Sequence, residues 1–293
     1  MSENIAKNYI DDFDLKGENF LRVEADFFKL LINIFREFFK IRKRSILKRD
    51  IKLLFNRQGV TIKNSSNGEN NCVYSKDKII QAKIEIDFER NARGCKIYLG
   101  KNLRGNINIK VRNRDSIIYI GNKCSLNNLE IVSSQDDDKI IIGNFVTTSY
   151  VDGYITRFLS GGYAGNITPY LIIGDGCMLS SGITIRNIDG HPIFSYADNT
   201  QTNTSKTGVL VEPHVWIGQD VKILKDVTIG VGSIIGTGAI VTKNVPPLSI
   251  ALGIPASCRK LENQFWAHSN TEESKEAAKN IIEKYLKSPI SSN

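Results

Sequence analysis

The sequence predicts a mainly β solenoid, and a six-residue repeat is the main reason. An α-helix cannot keep this period on one face, because its turn holds about 3.6 residues. A prism-shaped solenoid can, since each hexad supplies one strand and one corner and three hexads complete a coil. The aliphatic positions of the clearest stretch are Val211, Ile217, Ile223, Ile229, Ile235 and Val241.

A second observation supports the solenoid and divides the chain. Weaker hexads begin near Ile97, and two loops interrupt them, so we expect the loops rather than the coils to carry binding or chemistry. The predicted parts are a helical N-terminal extension over 1–57, a transition segment over 58–94, a solenoid domain over 95–258 with inserted loops 149–170 and 186–208, and a C-terminal helical tail over 259–293.

The tail is expected to hold one helix. The pattern of its residues predicts a helix from about Thr271 to Lys287. Asn270 is the expected N-cap, and Glu273 would complete a capping box with it.

The N-terminal extension combines an amphipathic stripe with most of the charge. Apolar residues at Phe27, Leu31, Ile34 and Phe38 follow helical spacing, but charged residues interrupt them too often for a membrane span. Residues 36–57 hold nine basic and two acidic side chains, so +7 of the net +8 lies here. The segment predicts a solenoid cap or oligomer contact, or alternatively a helix on an anionic membrane surface or polyanionic glycan. Nucleic-acid binding by the solenoid is not expected.

The cysteines and the N-terminus bear on the compartment. The five cysteines contain no CxxC pair, and several occupy positions where the repeat favours a small apolar side chain. We therefore expect reduced, buried thiols and no metal site. No signal peptide is apparent, so we expect a cytoplasmic protein, with peripheral attachment to the inner membrane face as the alternative.

Three histidines are the candidates for acid–base chemistry. His268 lies in a polar linker and His214 at an outward turn of a hexad, so both are expected at the surface. His191 stands in the second inserted loop between Gly190 and Pro192, which restrict the backbone on either side. A histidine in such a loop can be structural, but its position makes His191 the candidate general base.

Trp216 is the second candidate. It precedes Ile217 and Gly218 at an outward position of a strand, where side chains are usually modest. An exposed indole there either has no role beyond the surface or lines a groove, where it can stack on a ligand or donate its N–H.

The segment from Val215 to Pro247, followed by Leu252–Ala256, resembles the left-handed β-helix acyltransferases, which include galactoside, maltose, polysialic acid and capsule O-acetyltransferases. The loop sequence Asp-Gly-His-Pro-Ile at 189–193 and the long N-terminal addition are most similar to the polysialic acid and capsule branch. The resemblance implies a left-handed β-helix and direct acetyl transfer from acetyl-CoA to a sugar hydroxyl. It further implies a homotrimer with clefts between subunits.

The resemblance also implies roles for individual residues. His191 would be the general base and Trp216 would wall the cleft beside the reacting groups. Lys243, Arg259 and Lys260 would be available to the CoA phosphates, although Ser257 stands where some members place an arginine. The positions that would line the pantetheine groove are Gln219, Thr237 and Thr242.

Two other functions are left open. One is N-acetyl transfer to an amino or nucleotide sugar, which would favour an acidic pocket, and the His191 loop offers Asp189 and Asp198 for it. The other is a non-catalytic binding solenoid. The favoured function is O-acetylation of sialic acid or of a capsular or other surface polysaccharide.

Overall fold

A computed structural model of the chain describes residues 21–24, 59–66, 68–76, 80–89, 91–162 and 169–287. Over most of this range short parallel strands stack in three columns, and each coil of the chain passes through all three. A helix follows the last coil. This is the mainly β, parallel solenoid that the hexads predict, whereas the left hand of the helix stays a prediction.

The first column, which we call face 1, forms a separate sheet. Its strands are parallel, except that the first pairs antiparallel with the second. Along the solenoid axis face 1 contains β1 (Leu21–Glu24), β3 (Cys72–Ser75), β5 (Lys96–Leu99), β7 (Ile117–Ile120), β9 (Lys139–Ile142), β12 (Tyr170–Ile173), β15 (Gly208–Val211) and β18 (Val227–Ile229).

The other two columns share a second sheet, because β8 is long enough to turn the corner and pair with both β10 and β11. Face 2 contains β10 (Thr147–Thr148), β13 (Met178–Leu179), β16 (Trp216–Ile217), β19 (Ile234–Ile235), β21 (Ser249–Leu252) and the antiparallel β22 (Ser257–Lys260). Face 3 contains β2 (Val60–Asn64), β4 (Lys83–Phe88), β6 (Arg104–Val111), β8 (Ser125–Ser133), β11 (Thr156–Ser160), β14 (Thr184–Arg186), β17 (Lys222–Ile223) and β20 (Ile240–Val241).

Aliphatic side chains fill the axis of the coils. Ile142, Ile173, Val211 and Ile229 are stacked in register on face 1, and each is fully buried. Burial of each such side chain contributes roughly 1.5–3 kcal/mol. The hexad spacing in the sequence is therefore the spacing that returns an aliphatic residue to the axis on every face.

The corners require backbone that most residues avoid. At the corner between faces 1 and 2, φ is +56° at Lys123, +59° at Phe145, +65° at Gly176 and +55° at His214. The amide of each residue at this corner donates to a carbonyl one coil away, as the N–H of Gly176 does to Asn144 at 2.8 Å. Stacked corner hydrogen bonds thus stabilise a left-handed conformation that has a steric cost for residues other than glycine.

The structure corrects the N-terminal boundaries. Strands β2, β3 and β4 already stack in parallel register with later coils, so the expected transition segment 58–94 belongs to the solenoid. Residues 21–24 form a strand rather than helix. The rest of the predicted helical extension 1–57 lies outside the described residues.

Of the two predicted inserted loops, one is partly a strand and the other is present. Residues 156–160 of the expected loop 149–170 form β11, which pairs in parallel with β8 and β14, so this prediction was wrong at its centre. Tyr163 lies outside the described residues. The loop expected at 186–208 is present, because β14 ends at Arg186 and β15 begins at Gly208.

The final helix, α1, spans Glu272–Leu286, close to its predicted bounds. The expected N-cap is wrong: Thr271 caps the helix, its hydroxyl accepting from the backbone N–H of Ser274 at 3.3 Å. No helix among the described residues has the length and apolar content to cross a membrane.

The cysteines are buried with one exception. Cys72, Cys95, Cys124 and Cys177 are buried free thiols, as expected. Burial raises the pKa of the Cys124 and Cys177 thiols to about 12, so these side chains behave as small apolar groups. Cys258 on β22 is exposed, which corrects the expectation that it is buried.

A buried polar cluster lies at the corner between faces 3 and 1. The Asp138 carboxylate accepts hydrogen bonds from Ser133 Oγ at 2.8 Å and from Ser160 Oγ at 2.5 Å. Asn113 Nδ2 donates to the same carboxylate at 3.2 Å, and Asn187 Nδ2 donates to Ser160 Oγ at 3.0 Å. The cluster therefore connects several coils and ends one residue beyond the last strand before the 186–208 loop.

Asp138 should make stability depend on pH. Burial raises its pKa from 3.8 to about 6, so the folded chain holds this proton more tightly than the unfolded chain. Its contribution to stability is present below about pH 4 and is lost as pH rises to about 6, with an upper bound of about 3 kcal/mol. In thermal unfolding, Asp138→Asn should remove a decline in Tm that the wild type shows across this window. Asp137→Asn, at the exposed neighbouring position, is the control, and equal pH slopes for all three proteins would contradict the assignment.

Candidate active site

The loop that carries His191 is fixed where it leaves the solenoid. It departs from the corner between faces 3 and 1, and the next coil passes directly beside it at Lys225 and Asp226. Lys225 Nζ lies 2.7 Å from Asp189 Oδ2 and donates to the Asn203 carbonyl at 2.5 Å. One cation from the coil therefore joins both sides of the loop.

The end of the loop is fixed by a second residue of the same corner. Asp226 Oδ1 accepts from the backbone N–H groups of Lys206, Thr207 and Gly208, at 2.8, 2.9 and 3.1 Å. A carboxylate that accepts several backbone N–H bonds is a strong anchor. Both ends of the insertion are thus attached within one coil spacing.

Beyond this base the loop is a small hairpin. Phe194 and Gln201 form an antiparallel bridge, and the N–H of Thr202 donates to the Ile193 carbonyl at 2.7 Å. Ile193, Phe194 and Tyr196 are exposed. His191 is exposed between the fixed base of the loop and this hairpin.

Trp216 lies on face 2 with its side chain outward, as predicted, and is 39% exposed. Register places Ile234, Ile250 and Arg259 beside it in successive strands of the same face. The spacing of strands puts Arg259 about 14 Å from Trp216. The outer surface of face 2 therefore carries a row of apolar side chains that includes the Trp216 indole and leads to the Arg259 guanidinium.

The remaining predicted residues fall into separate groups. Gln219 and Thr237 share the corner between faces 2 and 3, in consecutive coils, with the Gln219 carbonyl accepting from the Gly238 N–H at 2.8 Å. Thr242 and Lys243 are exposed at the corner between faces 3 and 1. Lys260 is exposed next to Arg259 on β22.

Within one chain, His191 and Trp216 are on different sides of the prism. Trp216 is on face 2, and the His191 loop leaves from the corner opposite that face. The topology brings Trp216 together with Arg259 but does not bring it to the base of the His191 loop. A groove of about 250 Å³ elsewhere on face 3 is lined by residues such as Glu85, Asn108 and Glu130, none of which belongs to the predicted site.

His214 is buried, which corrects the prediction of a surface residue. It is 1% exposed because the indole of Trp266 stacks on it, with ring centroids 3.9 Å apart. His214 Nε2 donates to the Trp266 carbonyl at 2.9 Å, and Trp266 Nε1 donates to the His214 carbonyl at 3.1 Å. Burial lowers the pKa of His214, and its Nδ1 is buried without a hydrogen-bond partner, so the neutral ring is favoured.

Two further contacts extend this pair toward the candidate site. The rings of Trp216 and Trp266 are 6.2 Å apart. His268 is exposed as predicted, but its Nε2 also lies 3.0 Å from the Gly176 carbonyl. The linker before α1 is therefore attached beside Trp216. The sequence gives no local signal for this, since His214 and Trp266 are separated by 52 residues.

The fold is that of the hexapeptide-repeat acetyltransferases. The structure superposes on the polysialic acid O-acetyltransferase OatWY with a TM-score of 0.64, at 22% identity over 75% of this chain and 99% of that chain. The polysialic acid-specific acetyltransferase NeuO gives a TM-score of 0.63, at 24% identity over 80% of this chain and 94% of that chain. At these identities the comparison establishes the fold.

Sequence relatives are acetyltransferases as well, although no family model matches the chain. Identity is 33% over 137 residues to the polysialic acid O-acetyltransferase of Neisseria meningitidis and 34% over 101 residues to that of Escherichia coli O1:K1. It is 38% over 87 residues to the galactoside O-acetyltransferase of Escherichia coli K12. These matches cover 44%, 34% and 30% of this chain and 55%, 32% and 41% of the respective relatives.

Trp266→Ala should loosen α1. Truncation of a buried tryptophan costs about 3–5 kcal/mol, and here the loss falls on the contact that holds the linker to His214. Hydrogen exchange at 272–286 should accelerate while the coil strands remain protected. Tyr196→Ala is the control, since Tyr196 is a fully exposed aromatic residue of the 186–208 loop. Unchanged exchange in the helix of the Trp266 variant would contradict the assignment.

Proposed function

We propose that this protein is an acetyl-CoA-dependent O-acetyltransferase that modifies a sugar hydroxyl, with His191 as general base. The observation that carries the proposal is the His191 loop, which Lys225 and Asp226 fix at both ends to a rigid corner. A solenoid needs no such loop for stability, and fixed loops on rigid scaffolds are typical sites of catalysis. The acetyltransferase relatives and the shared fold support the same activity.

The chemistry needs a base because a sugar hydroxyl is a weak nucleophile near pH 7. His191 removes the hydroxyl proton as the oxygen attacks the thioester carbonyl of acetyl-CoA. The carbon–sulfur bond then breaks, and the imidazolium returns the proton to the leaving CoA thiolate. A positioned base of this kind contributes about 10²–10⁴-fold in rate.

The row of side chains on face 2 suits the CoA arm. Trp216, Ile234 and Ile250 offer an apolar surface for the pantetheine chain, and Arg259 at the far end offers a cation to the phosphates. Gln219 and Thr237 can add polar contacts from the adjacent corner. Lys243 and Lys260 are further phosphate ligands in this proposal.

The two halves of the site come from different copies of the chain. His191 and Trp216 are on opposite sides of one prism, so a homotrimer in which face 2 of one copy meets the His191 corner of the next would unite them. Each of the three clefts would then contain one base and one cofactor row.

The acceptor is a polysaccharide or sialic acid in this proposal, and the modification takes place in the cytoplasm. The names of two relatives, polysialic acid O-acetyltransferase, support that class. An amine acceptor has less support, because the Asp189 carboxylate is already paired with Lys225 at 2.7 Å. Release of free thiol from acetyl-CoA in the presence of candidate glycans, with mass spectrometry of the products, tests activity and acceptor together.

His191→Ala should lower turnover by at least about 10²-fold, because it removes the base while leaving the core intact. Initial rates of thiol release at saturating acceptor measure the effect, and light scattering checks the assembly. His268→Gln, a change at a histidine outside the loop, serves as the control. Near-wild-type turnover of His191→Ala would exclude it as the base.

Trp216→Ala should impair turnover more than stability, because its side chain is outward, and it should be complemented in mixed assemblies. If each site takes His191 from one copy and Trp216 from the next, co-refolding equal amounts of His191→Ala and Trp216→Ala restores about a quarter of the sites. The measurement is thiol release per total chain, compared with each variant refolded alone. Activity no higher than the sum of the two variants would contradict shared sites.

A further inference from the structure

We propose that Asn203 is a positioning residue for the reaction, and that it acts by fixing the backbone on both sides of His191. The inference rests on the proposed role of His191 as base. It adds a second residue, Asn203, which is 12 positions away in the sequence. Asn203 lies on the returning side of the loop, and no contact between Asn203 and substrate is proposed.

One amide side chain connects three points around His191. Asn203 Nδ2 donates to the His191 carbonyl at 2.9 Å and to Asp189 Oδ2 at 2.9 Å. Its Oδ1 accepts from the N–H of Ile193 at 2.8 Å. The peptide groups that precede and follow Pro192 are therefore attached to the same planar group, which leaves the Cα of His191 little freedom.

The backbone of Asn203 is itself fixed to the solenoid. Lys225 Nζ contacts the Asn203 carbonyl at 2.5 Å and the Asp189 carboxylate at 2.7 Å, and its side chain is mostly buried. A side-chain amide suits these partners, since the Asp189 carboxylate and the His191 carbonyl need a donor and the Ile193 N–H needs an acceptor. A carboxylate at the same place would repel Asp189.

Position matters for a general base because proton transfer needs a heavy-atom distance of about 2.6–3.2 Å. A displacement of about 1 Å can lower the rate by about 10²-fold. His191 is exposed, and these hydrogen bonds hold the backbone at His191 itself and at Ile193.

The first test is a double-mutant cycle on turnover. Asn203→Ala should lower kcat by about 10-fold or more, with KM for acetyl-CoA and Tm close to wild type. In the His191→Ala background the same change should lower the residual rate less than about 2-fold, because the base that it positions is gone. Equal losses in the two backgrounds, or wild-type kcat for Asn203→Ala, would overturn the proposal.

Two further variants test the donor role of the Asn203 amide and control for its position in the loop. Asn203→Asp keeps the acceptor for Ile193 but places a carboxylate against Asp189, so its kcat should be at least as low as that of Asn203→Ala. Thr204→Ala changes the exposed neighbour on the same side of the loop and should leave kcat unchanged. A wild-type rate for Asn203→Asp would overturn the donor role of the amide.

The second test does not depend on activity. The chain has three histidines, so side-chain NMR gives three ring signals, which single variants assign. Asn203→Ala should shift or broaden the His191 signal and leave those of His214 and His268 in place. An unchanged His191 signal would overturn the positioning role even if the protein proves to have another activity. If the His191 signal shifts in Asn203→Ala but the wild type releases no thiol from acetyl-CoA, the positioning role of Asn203 stands and the proposed transferase activity is rejected.

Discussion

Parallel stacking at a fixed spacing is the constraint on which the rest of this structure depends. Every coil must return each strand to the position above its predecessor, about 4.8 Å away. An insertion must therefore leave and re-enter at one corner, with both ends close to the next coil. Lys225 and Asp226 use this closeness to hold the two ends of the 186–208 loop. The loop proposed to carry the base is therefore held at both ends by the coil beside it.

The same stacking turns single positions into rows. An outward residue on one strand lies beside outward residues on its neighbours, so Trp216, Ile234, Ile250 and Arg259 form one surface although they span 44 positions of the chain. The row and the His191 loop are on opposite sides of the prism, and a second copy can bring them together. Each proposed active site thus combines the face 2 row of one chain with the His191 loop of another, and each chain contributes to two sites of the proposed trimer.

The sequence predicted the features that depend on local period and missed those that depend on distant contacts. The hexads of Val211–Val241, the 186–208 loop and the outward Trp216 follow from spacing alone. His214 was misassigned because its cover, Trp266, comes from the C-terminal linker. Strand β11 is not predicted from the sequence, because the glycines and tyrosines that flank it are typical of a loop. Asp138 is the last of three consecutive aspartates, a pattern typical of solvated charge, yet its carboxylate is buried among Ser133 and Ser160. The roles proposed for His191 and the CoA-binding residues stay predictions.

The way in which the hairpin of the 186–208 loop is attached has a consequence for which of its residues can be changed. Lys225 and Asp226 attach to residues near the two ends of the hairpin, whereas Phe194, Ser195 and Thr200 pair within the hairpin itself. Substitutions of exposed residues in that stretch, such as Tyr196, can therefore change the outer surface of the loop while the strand register and the hydrogen bonds around His191 stay in place.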